Sequence, residues 1–249
     1  MKNAFLVFIA FLFIGAAQAQ SVGIGTTTPA ASAQLDISST TKGLLPPRMT
    51  FAQREIITTP AEGLMIYNTD TKKPNYFDGM VWKNFDGSSA PYIGTAAQGG
   101  IIAYIFQPGD PGYIAGQLHG LVAAPSDLQG YLWGCSGTAI PGADGTALGT
   151  GNQNTIDIMA GCATPSIAAR ICGDMVLNGY SDWYLPSKDE LYKLSVNRVA
   201  IGGFTTTYYL SSSEYDLNNC WYQYFDGSGV QNFYLKNYSA YYMRAIRSF

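Results

Sequence analysis

The chain has 249 residues, 47% of them hydrophobic, with 14 basic and 17 acidic side chains and a formal net charge of -3. That length suffices for one large domain, or for a small module followed by a medium one with a core of its own. Charges this sparse, with a slight acidic excess, argue against nucleic acid as a partner.

At the N-terminus, Lys2 precedes an apolar run from Ala4 to Ala17 that closes on Ala17-Gln18-Ala19. This is the pattern of an export signal over residues 1–19, cut before Gln20, so an extracellular or cell-surface location is expected. The run is shorter than the ~20 residues that cross a bilayer, and no later segment comes close; no membrane span is expected. No cysteine follows the cut, so no lipid anchor is expected either.

From residue 20 to 97 the chain is rich in Thr, Ser, Ala, Gly and Pro, with six basic and six acidic residues and only short apolar stretches. Strands are expected at Gln34 to Ile37, Gly63 to Tyr67 and Met80 to Phe85, with an Asp78-Gly79 turn before the last. Segments this short bury little alone, so they read as a β-rich stalk that gains its core from copies of itself. Three strings carry a resemblance: Val22-Gly23-Ile24-Gly25-Thr26-Thr27-Thr28-Pro29, Lys42-Gly43-Leu44-Leu45-Pro46-Pro47-Arg48-Met49-Thr50 and Gly63-Leu64-Met65-Ile66-Tyr67-Asn68-Thr69-Asp70. They resemble a module found at the N-terminus of many exported Bacteroidota proteins and similar to the shafts of trimeric phage tail fibres. The resemblance implies a presenting role and a homotrimer.

A second unit, residues 98–249, opens with an apolar strand from Ile101 to Phe106 and continues through long Gly-rich loops. Helices are expected at Asn154 to Ala160, Ser166 to Leu177 and Ser187 to Val199; Ser187 and Glu190 form an S-x-x-E capping box at the last. After Gly202-Gly203 the period changes to strands at Tyr208 to Ser212, Cys220 to Phe225, Gln231 to Lys236 and Tyr241 to Phe249. Strand, loops, helices and then antiparallel strands make an α+β layout.

Cys135, Cys162, Cys172 and Cys220 all lie in this half, where export permits disulfides; three pairings are open. There is no CxxC spacing and His119 is the sole histidine, so zinc is not expected. No other cofactor is implied. His119 reads as a structural histidine, and Asp189 and Glu190 as helix-start residues, so no catalytic role is expected.

Trp133-Gly134-Cys135, Gly151-Asn152-Gln153-Asn154-Thr155, Asp182-Trp183-Tyr184-Leu185-Pro186-Ser187-Lys188-Asp189-Glu190-Leu191, Leu210-Ser211-Ser212-Ser213-Glu214 and Arg244-Ala245-Ile246-Arg247-Ser248-Phe249 carry a second resemblance. They resemble the family named for the C-terminal domain of the Lcl collagen-like adhesin, over residues 99–249. That resemblance implies a C-type-lectin-like fold related to formylglycine-generating enzymes, in exported proteins that in several cases bind glycans. Leu210 stands where the family usually has Trp, and Cys220 where it more often has Ala.

Strand alternation groups Trp221, Gln223 and Phe225 on one face and Tyr222 and Tyr224 on the other, with Trp221 and Phe225 as core residues. On the next strand Phe233 and Leu235 are expected inward, and Asn232, Tyr234 and Lys236 outward. Nine of the eighteen tyrosines fall between Tyr208 and Tyr242. The expected binding face is Tyr215, Asn218, Asn219, Tyr222, Tyr224, Asn232, Tyr234, Asn237, Tyr238 and Tyr241. Rigid amphipathic rings with short amides are the composition of binding paratopes and suit sugar faces and hydroxyls, so the expected partner is a glycan or a surface protein. A structural fibre or tip component is the alternative. A third reading takes Tyr222, Tyr224, Asn232 and Tyr234 as retroelement-diversified contacts around fixed Trp221, Phe225, Gly227 and Arg244. Calcium-type strings such as E-P-N are absent, and Asp216 with Asn218 and Asn219 reads as a solvated turn.

Overall fold

The computed structural model describes residues 21–249; the expected export signal, residues 1–19, lies outside the described residues. The chain separates into two compact units at Pro46 and Pro47.

In the first unit, β1 (Val22–Ile24) and β2 (Leu35–Ile37) pair in parallel, Val22 opposite Leu35 and Ile24 opposite Ile37. The Asp36 carboxylate accepts from the Ala30 amide at 2.9 Å and pins the connecting loop. No residue from Ser21 to Pro46 is buried. Val22, Ile24, Leu35, Ile37, Leu44 and Leu45 all lie open to solvent, at 37–67% exposure.

The second unit starts with β3 (Arg48–Met49), the short α1 (Phe51–Glu55), β4 (Met65–Asn68), β5 (Lys73–Phe77) and β6 (Trp82–Asn84), with sheet order β3-β4-β5-β6. Two of the expected strands fall on β4 and β6. The turn between β5 and β6 forms because the Asp78 carboxylate accepts from the Met80 and Val81 amides. Helix α1 starts on a second capping box, Thr50 with Gln53, a T-x-x-Q signal readable in the sequence but overshadowed by its brevity. Arg54 on α1 is fully buried. Its guanidinium donates to Asn75 Oδ1 and the Pro91 carbonyl and lies 5.0 Å from the Phe51 ring centre and 5.5 Å from that of Trp82.

Next come β7 (Ala96–Ala97), β8 (Gly100–Ile105), β9 (Gly120–Ala123), β10 (Leu128–Gln129), α2 (Gly151–Gly161), α3 (Ala168–Gly173), α4 (Lys188–Val196) and α5 (Arg198–Ile201). The chain closes with β11 (Tyr208–Glu214), β12 (Asn219–Tyr224), β13 (Gln231–Leu235), β14 (Tyr242–Met243) and β15 (Ile246–Ser248). One sheet runs β15-β9-β8-β7 and the other β10-β14-β11-β12-β13, which with the helices is the expected α+β architecture. Phe51 of α1 packs with Ile102 and Ile105 of β8, so the segment after Pro47 shares a core with the β15-β9-β8-β7 sheet.

The Ser187–Glu190 capping box forms as read, with Ser187 Oγ accepting from the Glu190 amide and Glu190 accepting from the Ser187 amide. Helix α3 is shorter than the expected Ser166 to Leu177, because Ser166 takes a left-handed φ of 55° and the helix stops at Gly173. The blocks that carry the second resemblance meet in space: the Ser212 amide donates to the Pro186 carbonyl, and the Lys188 amide to Ser213 Oγ. Asn154 of α2 donates to the Gly145 carbonyl and to Ser212 Oγ in the same knot.

A continuous strand from Tyr241 to Phe249 does not form. It breaks into β14 and β15, which belong to different sheets. Arg244 sits at the crossing, fully buried, donating to Asp127 and to the Ala124 and Gly203 carbonyls, and these partners at fixed places turn the chain there. Of the three open cysteine pairings the structure forms Cys135 with Cys162, closing a loop of 27 residues; Cys172 and Cys220 are free and buried. Gly134, beside that disulfide, has φ 101°, and a side chain there would come within 2.6 Å of Ile167.

Candidate functional site

Strand register builds the site. Antiparallel pairing sets Tyr208 opposite Tyr224 and Leu210 opposite Tyr222, and then Tyr222 opposite Asn232 and Cys220 opposite Tyr234. Paired residues share a face, so Tyr208, Tyr222, Tyr224, Asn232 and Tyr234 lie on one side of the sheet. Beyond β13 a tight turn, closed by the Tyr238 amide on the Leu235 carbonyl, brings Tyr238 and Tyr241 back to that side.

The result is a pocket of about 200 Å³ lined by Tyr208, Tyr222, Tyr234, Tyr238 and Tyr241. Its walls are a chain of ring contacts. Tyr208 meets Tyr222 at 5.1 Å, Tyr222 meets Tyr241 at 6.0 Å, Tyr241 meets Tyr238 at 5.1 Å and Tyr238 meets Tyr234 at 5.3 Å. Three of these four are edge-to-face, the arrangement that the ring quadrupole favours, and it turns successive π-faces in different directions. Tyr208, Tyr234 and Tyr238 form the exposed rim, while Tyr241, 2% exposed, is the floor.

Burial, with Tyr208 beside it, raises the Tyr222 pKa, and burial drives that of Tyr241 far above the usual phenol value, with the Cys220 thiol the next cause. The Tyr241 hydroxyl is buried without a hydrogen-bond partner. Such a group costs about 1–3 kcal/mol, so an orphan at a pocket floor marks a place where packing alone does not explain the residue.

Of the ten residues expected to make one face, the pocket gathers Tyr222, Tyr234, Tyr238 and Tyr241, and Tyr224 packs on Tyr208 at 4.8 Å behind it. Tyr241 is a correction, since it was expected outward and is buried. Asn232 is exposed, and its Oδ1 accepts from the Phe233 amide. The Asp216 carboxylate accepts from the Asn218 and Asn219 backbone amides and from the Asn219 side-chain amide, which lowers its pKa, Asn219 first among the causes. Asn237 is exposed in the turn after β13. Tyr215 lies on the opposite face, stacked on Phe233 at 3.7 Å and edge-on to Trp221 at 5.2 Å, with the Lys188 ammonium 4.7 Å from the Trp221 ring centre. The expected single contiguous patch is therefore two separate aromatic groups.

Three further expectations are reversed. Phe233 and Leu235 are exposed rather than inward, Lys236 is fully buried rather than outward, and Trp221 is half-buried rather than core; Phe225 is core as read. β13 is the outer strand of its sheet, and Asn232 to Leu235 are all exposed along it. Lys236 lies just past the strand end, where its ammonium bonds Glu214 and the Thr138 carbonyl and sits 4.4 Å from the Trp133 ring centre. Tyr208 was missed as a pocket residue; its hairpin pairing with Tyr224 is the signal that would have found it.

His119 Nδ1 lies 3.1 Å from the Phe249 carbonyl and Nε2 3.0 Å from Gln117 Oε1. Burial pushes the Cys172 thiol up to about 12 and the Cys220 thiol higher still. Among the described residues no group of three or more His, Cys, Asp or Glu is placed to hold a metal ion, and no helix is long and apolar enough to cross a membrane.

No curated protein matches the chain. Residues 23–98 match the family described as the phage tail like trimerisation region, so the N-terminal module is tail-fibre-like and similar to segments that assemble in threes.

Proposed function

We propose that this chain is an exported, non-catalytic structural component of tail-fibre type, in which the N-terminal module assembles three copies and presents the C-terminal domain. The bare apolar surface of the first unit carries this reading: Val22, Ile24, Leu35 and Ile37 on its two-stranded sheet, and Leu44 and Leu45 after it, all stand open, with no buried residue from Ser21 to Pro46. A two-stranded sheet is marginal alone in water, and three copies supply the missing core. Sedimentation of the mature chain tests it. The expected mass is three times that of one chain, falling to one when Val22, Ile24 and Leu35 are changed together to Ser. A monomer at tens of micromolar with its strands intact overturns the proposal.

A second reading is recognition, with the C-terminal domain as a C-type-lectin-like scaffold whose tyrosine face binds a glycan or a surface protein. The five-tyrosine pocket favours it. A glycan and surface-protein array probed with the mature chain, and with Tyr234→Ala and Tyr238→Ala variants of unchanged melting temperature, tests it. Equal signals from all three proteins would remove the pocket from any binding role.

A further inference from the structure

We infer that the tyrosine pocket is a cage for a quaternary ammonium group, a choline-type headgroup, held by the π-faces of Tyr208, Tyr222, Tyr234, Tyr238 and Tyr241. The inference rests on the recognition reading and names the ligand chemistry of that same pocket.

The lining decides between ligand classes. A polyhydroxyl ring needs directional partners, and amides or carboxylates usually provide them. Here the Asn219 side-chain amide donates to Asp216, and Asn232 Oδ1 accepts from the Phe233 amide. What lines the pocket is tyrosine alone. A quaternary ammonium has no N–H to donate, so it loses nothing in a site without fixed acceptors. Its positive charge spreads over methyl groups that meet the negative faces of aromatic rings. Rings set edge-to-face turn several such faces around one volume of about 200 Å³, room for a trimethylammonium group. No cationic side chain lines the pocket, and the nearest in sequence, Lys236, is turned away and neutralised by Glu214. Burial raises the Tyr222 and Tyr241 pKa values, so the walls these two form stay uncharged, which favours soft, poorly hydrated cations over ammonium or metal ions.

Calorimetric titration of the mature chain compares choline with its uncharged isostere, in which carbon replaces nitrogen. Choline is expected to bind at least about tenfold more tightly, because shape and area are matched and only the charge differs. Tyr234→Phe and Tyr238→Phe, which keep the rings, should hold affinity within about threefold, and Tyr238→Leu should lose roughly tenfold. Equal binding of choline and isostere, loss of binding in the Phe variants, or no choline binding at millimolar concentration overturns the cage. An array glycan that binds and is lost in the Phe variants overturns it too, while leaving the recognition reading in place. Vesicles of phosphatidylcholine against phosphatidylglycerol separate the sources: capture by the first, competed by choline, means a headgroup on a surface. Choline binding without vesicle capture means a free small molecule, and either outcome supports the cage.

Discussion

Lys236 offers the sharpest test of how the C-terminal strands are placed. Local alternation turns this side chain to water, whereas the structure buries it completely against Glu214, Thr138 and the ring of Trp133. Replacing it with Met keeps the aliphatic stem and removes the charge. The Glu214 carboxylate then stays buried with only the Ile140 amide, which it meets at 3.0 and 3.1 Å, to satisfy it. One amide does not replace an ammonium, so the loss should be that of a broken buried pair, about 3–5 kcal/mol. In a chain of this size that lowers the melting temperature by roughly 10 °C. Removing both charges, as Lys236→Met with Glu214→Leu, should recover most of the loss, since a buried pair replaced by apolar groups of similar volume is often neutral. Chemical denaturation of the four proteins gives the coupling directly. A cost below about 1 kcal/mol for Lys236→Met, the size of a surface pair, with no recovery in the double variant, would show that Lys236 faces solvent.

Three other outcomes come from the same geometry. Reducing the Cys135–Cys162 disulfide, which closes a loop of 27 residues, should remove roughly 3.5 kcal/mol and be visible as a fall in melting temperature on adding thiol; Cys172→Ala, which keeps that disulfide, should show the same fall, and Cys135→Ala none. In a phenolate absorbance titration, Tyr222 and Tyr241 should resist ionisation as pH passes about 10. Their raised values mean that stability is fully present below the unfolded phenol value and declines as pH rises beyond it; Tyr241→Phe should lessen that decline and, by removing an unpaired buried hydroxyl, cost no stability at neutral pH. At the acid end, Arg247 donates to Asp182 at 2.7 and 2.9 Å and lowers its carboxyl below the usual value. The pair's contribution is therefore present above about pH 4 and lost as pH falls through the lowered value, so Asp182→Asn should flatten the acid limb of stability against pH; an unchanged limb refutes the assignment.

Much of the local structure was legible from residue order alone. Ser187 with Glu190 starts α4 because a capping box needs only residues three apart. Short apolar strings among Thr, Ser and Gly before residue 98 implied assembly, and that segment matches a trimerisation family. The crowding of tyrosines after Tyr208 pointed to the right stretch of chain, and four of the expected residues do line one pocket.

Tertiary structure alone decided which of those rings meet. Alternation is a parity rule: it says which residues share a face, but whether that face is covered depends on strands and helices distant in sequence. No helix or strand distant in sequence covers the face of β13 that carries Phe233 and Leu235 well enough to bury them, and they are exposed despite their hydrophobicity. Lys236 is buried because Glu214, 22 residues earlier, waits where the strand ends. Tyr241 forms the pocket floor because the turn after β13 returns the chain to the face that carries Tyr222 and Tyr234. Cys135 finds Cys162 rather than Cys172 or Cys220 for the same kind of reason, since distance in space between side chains is set by the whole fold and not by spacing along the chain.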